Sequence, residues 1–203
     1  IPGVEGSTLV SITSPSLASV LRYSRDFGRA SKVGAIATLR EGDEYFNRVA
    51  GADANIRLTG KDTITAQFLG SQTQYPSHVA EDNDQLSETF DGTAVKLHYS
   101  HSERSFEACA GYDDISDGFR ADLGFMPQVG FKEAHTSGRY IWYPKSGWFS
   151  RLWIGPTLRA TRDQRGDHLR APCRGVSLPG GGRAARHTGP MSERLAPEHA
   201  PLR

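Results

Sequence analysis

The sequence predicts an all-β protein, an antiparallel up-and-down meander of about eight long strands that forms a complete or partial transmembrane β-barrel. Apolar and polar residues alternate within eight segments, as they do when successive side chains point to opposite faces of a sheet. The segments are about ten residues long, enough to cross a bilayer at a tilt, whereas strands of soluble sandwiches are nearer five or six. Short and long connections alternate between the segments, which is typical of outer-membrane barrels.

The first four strands are predicted at 17–24, 31–40, 47–58 and 62–73. In the third, which has the clearest pattern, one face carries Ala50, Ala52, Ala54, Ile56 and Leu58. The opposite face carries Gly51, Asp53, Asn55 and Arg57. A tight turn at 59–61 follows, and polar loops are predicted at 41–46 and 74–91.

The last four strands are predicted at 92–101, 105–113, 129–143 and 147–161. The apolar face of the fifth carries Val95, Leu97 and Tyr99, and that of the sixth carries Phe106, Ala108, Ala110 and Tyr112. Tight turns are predicted at 102–104 and 144–146, with a long connection at 114–128. No helical periodicity longer than two turns competes with these strands.

The chain divides into a weakly patterned lead-in (1–16), the barrel-like domain (17–162) and an Arg/Pro/Gly-rich tail (163–203). The tail holds seven Arg, no Lys, four acidic residues and no aromatic residue. With so little to bury, it is predicted to be disordered. Its abrupt change of composition favours out-of-frame translation of a GC-rich gene; a basic arm that binds lipid head groups is the functional alternative.

Two sets of side chains are candidates for roles in such a barrel. The polar faces of the strands would line a lumen through Lys32, Arg40, Asp53, Arg57, Gln67, Lys96 and Glu107. Aromatic residues that flank the last predicted turn would lie at the membrane interface: Tyr140, Trp142, Tyr143, Trp148 and Phe149. The mixed charges of the first set can pair into a closed interior or leave a weakly selective water path, and pairing is favoured.

The sequence predicts no catalytic constellation, no metal site and no cofactor. Asp113, Asp114 and Asp117 lack the spacing of a calcium loop and are interpreted as a polar turn. His98 and His101 are three apart, so in a strand they face opposite sides and cannot share a metal. The formal net charge of +1 excludes nucleic acid as a predicted partner.

Three segments resemble a known bacterial domain of unknown function: RYSRDFGRASKVGAIAT (22–38), NRVAGADANIRL (47–58) and YDDISDGFRADLGFMPQVGFKE (112–133). That domain forms the C-terminal, outer-membrane-barrel-like part of larger proteins with an N-terminal domain similar to family-nine carbohydrate-binding modules. The resemblance covers about residues 17–160 and implies architecture and location, with no catalytic or binding residues to transfer. The N-terminal domain and the strands after about residue 161 are absent, so the chain is expected to be a fragment.

The expected function is therefore that of a non-enzymatic outer-membrane β-barrel domain, serving as an anchor, a passage or a display platform. Its location would be the bacterial outer membrane, and its partners would be outer-membrane lipid and, through the missing domain, glycans. One alternative is a soluble β-sandwich that binds glycans through Trp142, Trp148 and Trp153. A weaker alternative is a hydrolase that uses strand-borne acids such as Asp53 or Glu107.

Overall fold

The computed structural model describes residues 15–28, 30–83, 85–86, 88–145, 151–164 and 168–170 as one antiparallel sheet with a short helix. The strands are β1 Ser16–Phe27, β2 Ser31–Gly42, β3 Tyr45–Arg57, β4 Asp62–Gln74, β5 Phe90–Ser102, β6 Phe106–Ile115, β7 Phe131–Trp142, β8 Leu152–Ile154, β9 Thr157–Asp163 and β10 His168–Arg170. Neighbours follow chain order from β1 to β7 and on to β9 and β10, and β8 also pairs with β7. The predicted all-β antiparallel meander is thus confirmed, as a sheet that is not closed within the described residues.

Regular pairing gives the sheet two distinct faces. The ladders from β1 to β7 run without a register shift, so each cross-strand row keeps its side chains on one side. We call the inner face the one that carries Asn47, Val49, Ala94 and Ile115, because these residues are buried. The outer face is the opposite one, and it carries the alanines of β3.

The connections at the two ends of the sheet differ in length. Short turns at 28–30, 58–61 and 103–105 define what we call the turn end. The long segments 75–89 and 116–130 lie at the opposite, loop end. The predicted loop at 41–46 is wrong, because only Asp43 and Glu44 join β2 to β3. The backbone of Glu44 adopts a positive φ of 53° in this turn.

The predicted eighth strand differs from the one observed. It is interrupted at Gly155 and Pro156 into β8 and β9, since proline has no amide hydrogen to donate to a ladder. A Cβ at Gly155 would collide with the carbonyl oxygen of Gly138 in β7, so the chain crosses β7 closely there. β9 and β10 carry strand structure beyond residue 162, and residues 1–14 and 171–203 lie outside the described part of the chain.

Helix α1, Ser77–Asp82, lies within the polar loop that the sequence predicts at 74–91. At six residues it is shorter than two turns, too short to give a detectable 3.6-residue period. Val79 and Ala80 are buried and pack with Tyr45, Tyr75 and Phe90 at the loop end. No helix among the described residues is long and apolar enough to span a membrane.

A second hydrophobic cluster covers the inner face near the loop end. We call residues 116–130 the capping loop, because its Phe119 and Val129 are buried against Val49, Ala94 and Ile115 of the sheet. The sequence predicts this segment only as a long connection. Its Phe119, with no exposed area, is instead one of the most buried side chains in the described chain.

Asn47, on β3, fixes the capping loop to the sheet. Its amide nitrogen donates to Thr73 Oγ1 at 2.8 Å and to the carbonyl oxygen of Arg120 at 3.1 Å. Its amide oxygen accepts from the backbone nitrogen of Asp122 at 3.0 Å. Asn47 and Thr73 are buried, so these bonds satisfy polar groups that water does not reach.

Asp122 binds the aromatic cluster to the same loop. Its carboxylate accepts hydrogen bonds from Tyr45 Oη at 2.6 Å and from Tyr75 Oη at 3.0 Å. Burial, with Asp122 beside it, raises the pKa of the Tyr75 hydroxyl well above its usual value. The neighbouring Arg120 is buried, which lowers its pKa, and its guanidinium donates to the carbonyl oxygens of Asp117 and Phe119 and to Gln85 Oε1.

We predict that Asp122→Asn lowers the free energy of unfolding by about 1–3 kcal/mol, because an amide cannot accept both tyrosine hydroxyls as a carboxylate does. Equilibrium urea unfolding would measure the change. The control is Asp43→Asn in the exposed β2–β3 turn, expected to stay within about 0.5 kcal/mol of the parent. Equal effects of the two substitutions would contradict the assignment.

We also predict that Tyr75 ionises only when the fold opens. Because its folded pKa is raised, the contribution of its protonated hydroxyl is complete below a pH of about 10 and is lost as the pH rises above that. Burial and Asp122 raise the pKa of Tyr45 as well, so a phenolate absorbance titration should show a late component that is smaller by one tyrosine in Tyr75→Phe. Loss of an early component instead would show that Tyr75 titrates freely.

Candidate functional site

The outer face of the sheet is a continuous apolar surface. Fourteen of its large side chains are at least 37% exposed. They are Leu17, Leu21, Tyr23, Phe27, Val33, Phe68, Leu97, Tyr99, Phe106, Tyr112, Tyr140, Trp142, Ile154 and Leu158. Such an area far exceeds the scattered exposed apolar residues of an ordinary soluble surface.

Small residues form a groove within this surface. Ala37, Ala50, Gly70 and Thr93 are consecutive partners across β2 to β5. They line a groove of about 690 Å³ together with Leu21 and Leu39. The apolar outer face is therefore grooved rather than flat.

Charged residues bound the outer face at both ends. In β1 to β9, each Asp, Glu, Lys and Arg on this face lies within three residues of a strand end. At the loop end, Arg48 Nε donates to Glu41 Oε1 at 3.0 Å, and Lys132 Nζ lies 3.5 Å from Asp114 Oδ2.

The turn end has its own set of polar contacts. Asp62 Oδ1 lies 2.7 Å from both His101 Nδ1 and Tyr99 Oη, and Lys61 pairs with Glu103 in the adjoining turns. Charged and hydrogen-bonded groups at this end and at the loop end thus enclose the apolar band of the outer face.

Aromatic residues gather at the turn end of the outer face. Of the predicted interface residues, Tyr140 and Trp142 lie there, and Tyr143 follows β7 with the Arg104 guanidinium 5.4 Å from its ring centre. Trp148 and Phe149 lie outside the described residues. Register adds Tyr99 and Phe106 to this group, since Phe106 is the partner of Tyr140. The sequence pattern predicts that Tyr99 and Phe106 are on an apolar face, but it does not predict that they lie beside Tyr140.

The register places all seven predicted lumen residues, Lys32, Arg40, Asp53, Arg57, Gln67, Lys96 and Glu107, on the inner face. Asp53, Gln67 and Lys96 are direct neighbours in one cross-strand row. That this face lines a lumen stays a prediction.

Ion pairs join strands across the inner face, four of them between neighbouring strands and one between β1 and β3. Lys32–Asp26, Lys96–Asp113 and Arg159–Glu133 are each 3.5 Å apart. Arg22 Nη2 donates to Asp53 Oδ2 at 2.9 Å, and Arg139 Nε donates to Glu107 Oε2 at 2.6 Å. The sequence did not identify the partners Arg22, Asp26, Asp113, Glu133, Arg139 and Arg159, because pairing depends on register.

Glycine makes room for two of the inner-face contacts. Arg22 reaches Asp53 across Gly34, where a Cβ would lie against the guanidinium group. The ring of His135 lies over Gly111 in the same way, 5.7 Å from the ring of His98. His98 is on the inner face and His101 on the outer, as their spacing predicts. No group of three or more His, Cys, Asp or Glu in the described chain is arranged to hold a metal ion.

A cavity of about 610 Å³ lies at the turn end of the inner face. Glu107, Arg139 and Trp153 line it with Cys109 and Ser137, whose Sγ and Oγ are 3.0 Å apart. The Arg139 guanidinium covers the ring of Trp153, with 5.6 Å from Cζ to the ring centre. The cavity therefore contains an ion pair and a covered indole rather than an open aromatic platform.

The geometry favours neither alternative function. Trp142 is on the outer face and Trp153 on the inner, so these two rings cannot bind one glycan together. Asp53 and Glu107, the acids considered for hydrolysis, are each bound to an arginine. An ion-paired carboxylate is a poor general acid, because the cation favours its deprotonated form.

We predict that the Lys61–Glu103 contact is visible in the titration of Glu103. The hydrogen bond from Lys61 lowers the pKa of this carboxyl, so its contribution is present above the ordinary carboxylate range and is lost as the pH falls through the lowered value. Carboxyl-detected NMR of Lys61→Ala should show Glu103 titrating at higher pH. The control Lys132→Ala, at the loop end, should leave Glu103 unchanged; an equal shift would contradict the contact.

Comparison with protein-family models, curated proteins and solved structures finds no match to this chain. The resemblance of segments 22–38, 47–58 and 112–133 to a barrel-like domain stays a prediction. We therefore take the function from the chemistry of the two faces of the sheet.

Proposed function

We propose that this chain is a non-enzymatic outer-membrane β-barrel domain that anchors or displays a larger protein of the bacterial envelope. The carrying observation is the exposed apolar band on the outer face, bounded at both ends by charged contacts. Hydrocarbon is the medium in which such a surface is stable, and head groups are the medium for its charged margins.

Lipid is the proposed partner of the outer face. Alanine, leucine and aromatic side chains recur at alternate positions of β1 to β7 and so lie on the outer face. These strands are 10 to 13 residues long. That length is sufficient for a tilted strand to span the hydrocarbon. The groove across Ala50 and Gly70 would accept acyl chains, and Tyr140 and Trp142 would lie at the interface, where amphipathic rings collect.

The inner face favours anchoring or display over passage. Five ion pairs link its strands, so most of its charges are neutralised locally rather than presented to a solute. The core at the loop end further fills this face with apolar side chains. Passage through the domain would require the capping loop to leave the sheet.

The link to carbohydrate is the part of the proposal that rests on resemblance. Segments 22–38, 47–58 and 112–133 resemble a domain that follows a carbohydrate-binding-like domain in bacterial envelope proteins. We propose the same setting here, with glycans bound by that other domain. The described residues of this chain would then supply attachment to the membrane.

A pair of lysine substitutions at one depth of the sheet tests the membrane proposal. Ala52 is on the outer face and its cross-strand partner is Phe68; Gln67, next to Phe68, is on the inner face. In phospholipid vesicles, Ala52→Lys should destabilise the fold by about 2–4 kcal/mol, because it places a cation in hydrocarbon. Gln67→Lys, between Asp53 and Lys96, should cost much less.

Urea unfolding and heat-modifiable gel mobility of the refolded protein provide the readouts. The parent and Gln67→Lys should run as a folded band that shifts on heating, and Ala52→Lys should lose that band. A chain that stays soluble and monomeric without detergent, with both substitutions within about 0.5 kcal/mol of the parent, would overturn the proposal.

A further inference from the structure

The acidic side chains at the turn end already have basic partners. Four of them lie in the turns 28–30, 58–61 and 103–105 or within three residues of them in the described chain. Each contacts a basic side chain: Asp26 with Lys32, Asp62 with His101, Glu103 with Lys61, and Glu107 with Arg139. This end of the described chain therefore has no unpaired carboxylate.

Basic side chains, by contrast, are in excess at the turn end. Arg25, Arg104 and Lys145 are exposed, and none has a carboxylate oxygen within 4.0 Å among the described residues. Arg25 is on the outer face of β1, Arg104 is in the turn between β5 and β6, and Lys145 follows β7. The Arg104 guanidinium lies over the ring of Tyr143, an arrangement that leaves the N–H groups at its edge able to bind an anion. These three cations therefore lack a counter-ion in the described chain.

The loop end has the opposite imbalance. Exposed acidic side chains without a basic partner within 4.0 Å in the described chain are Asp43, Glu44, Glu81, Asp82, Glu88 and Asp91. The exposed Arg48 and Lys132 at this end are instead paired with Glu41 and Asp114. An anionic surface would therefore be attracted to the turn end and repelled by the loop end.

We infer that the turn end binds the anionic head groups of phospholipids such as phosphatidylglycerol, an inference that rests on the proposed membrane location. Such a head group carries a net negative charge, whereas the ammonium group of phosphatidylcholine cancels the charge of its phosphate. Basic residues at a membrane surface are attracted to anionic lipid, and arginine can bind a phosphate through two N–H groups. Tyr140 and Trp142, at the same end of the outer face, support this depth, since aromatic rings collect near the head groups.

Lipid selectivity at the turn end can be measured through Trp142, which is 51% exposed there on the outer face. Trp148→Phe and Trp153→Phe leave it as the only tryptophan of the full chain. This chain is refolded into vesicles of phosphatidylcholine mixed with phosphatidylglycerol, with brominated acyl chains on one lipid or on the other. Bromine quenches indole fluorescence only at short range, so the two quenching curves give the relative affinity of the two lipids for this end of the sheet.

At low salt we expect phosphatidylglycerol to be favoured over phosphatidylcholine at least about threefold. The preference should fall towards one as the salt concentration rises to about 0.5 M, because exposed charges are then screened. Arg25→Gln, Arg104→Gln and Lys145→Gln, combined in one chain, should bring the affinity ratio close to one even at low salt.

The matched control combines Arg48→Gln, Lys132→Gln and Arg162→Gln, which replace three exposed cations of the outer face at the loop end. It changes the net charge by the same amount and should leave the affinity ratio as in the parent. A ratio near one for the parent at low salt, or an equal fall in both combined variants, would overturn the inference, while a folded band that shifts on heating would still support the membrane proposal. A chain with no folded band in any of these vesicles would overturn both.

Discussion

The side-chain amide of Asn47 is the contact on which the ordered loop end depends. Both of its ends are used: the nitrogen binds Thr73 on β4 and the carbonyl oxygen of Arg120, and the oxygen binds the backbone of Asp122. Asp122 is thereby positioned to receive Tyr45 and Tyr75, which pack with α1. One buried polar residue thus connects two strands, the capping loop and the helix segment. An apolar residue of similar size would fill the space but could satisfy none of these groups.

The two-residue period of a strand explains why one sheet can carry two opposite chemistries. The register is uninterrupted over β1 to β7, so the face on which a residue of one strand lies fixes the face of its partners in all the neighbouring strands. A slip by one residue would move the alanines of β3 inward and Asp53 outward. The ion pairs, which join β1 to β2 and β3, β5 to β6, β6 to β7 and β7 to β9, add register-specific contacts on the inner side. Their individual energies are small at this exposure, so their main effect is on which residues meet.

Local alternation predicts what depends on single strands and misses what depends on their pairing. The seven long strands and the faces of Asp53, Lys96 and Glu107 were predictable, because each needs only the pattern of its own segment. The ion-pair partners, and the place of Tyr99 and Phe106 beside Tyr140, require register. Helix α1 was not predictable because six residues are too few to show a helical period. The tight turn at Asp43–Glu44 was not predictable because the polar residues around it look like part of a longer loop. The sequence predicts a loop at residues 118–127 (GFRADLGFMP), because the buried residues of this segment follow no period. Only tertiary packing brings Phe119 to the core.

The uneven placement of the core has a consequence for how the sheet opens. Both hydrophobic clusters lie at the loop end of β3 to β6, whereas β1 is exposed throughout and has no residue in either cluster. Regions with few buried apolar contacts open at low free-energy cost, and regions around a core open only with global unfolding. Amide hydrogens should therefore exchange with solvent in a gradient, fastest in β1 and slowest around Val49, Ala94 and Ile115. The sheet would then be rigid around β3 to β6 and more flexible at β1, so its first strand could adjust its twist to the surface that it contacts.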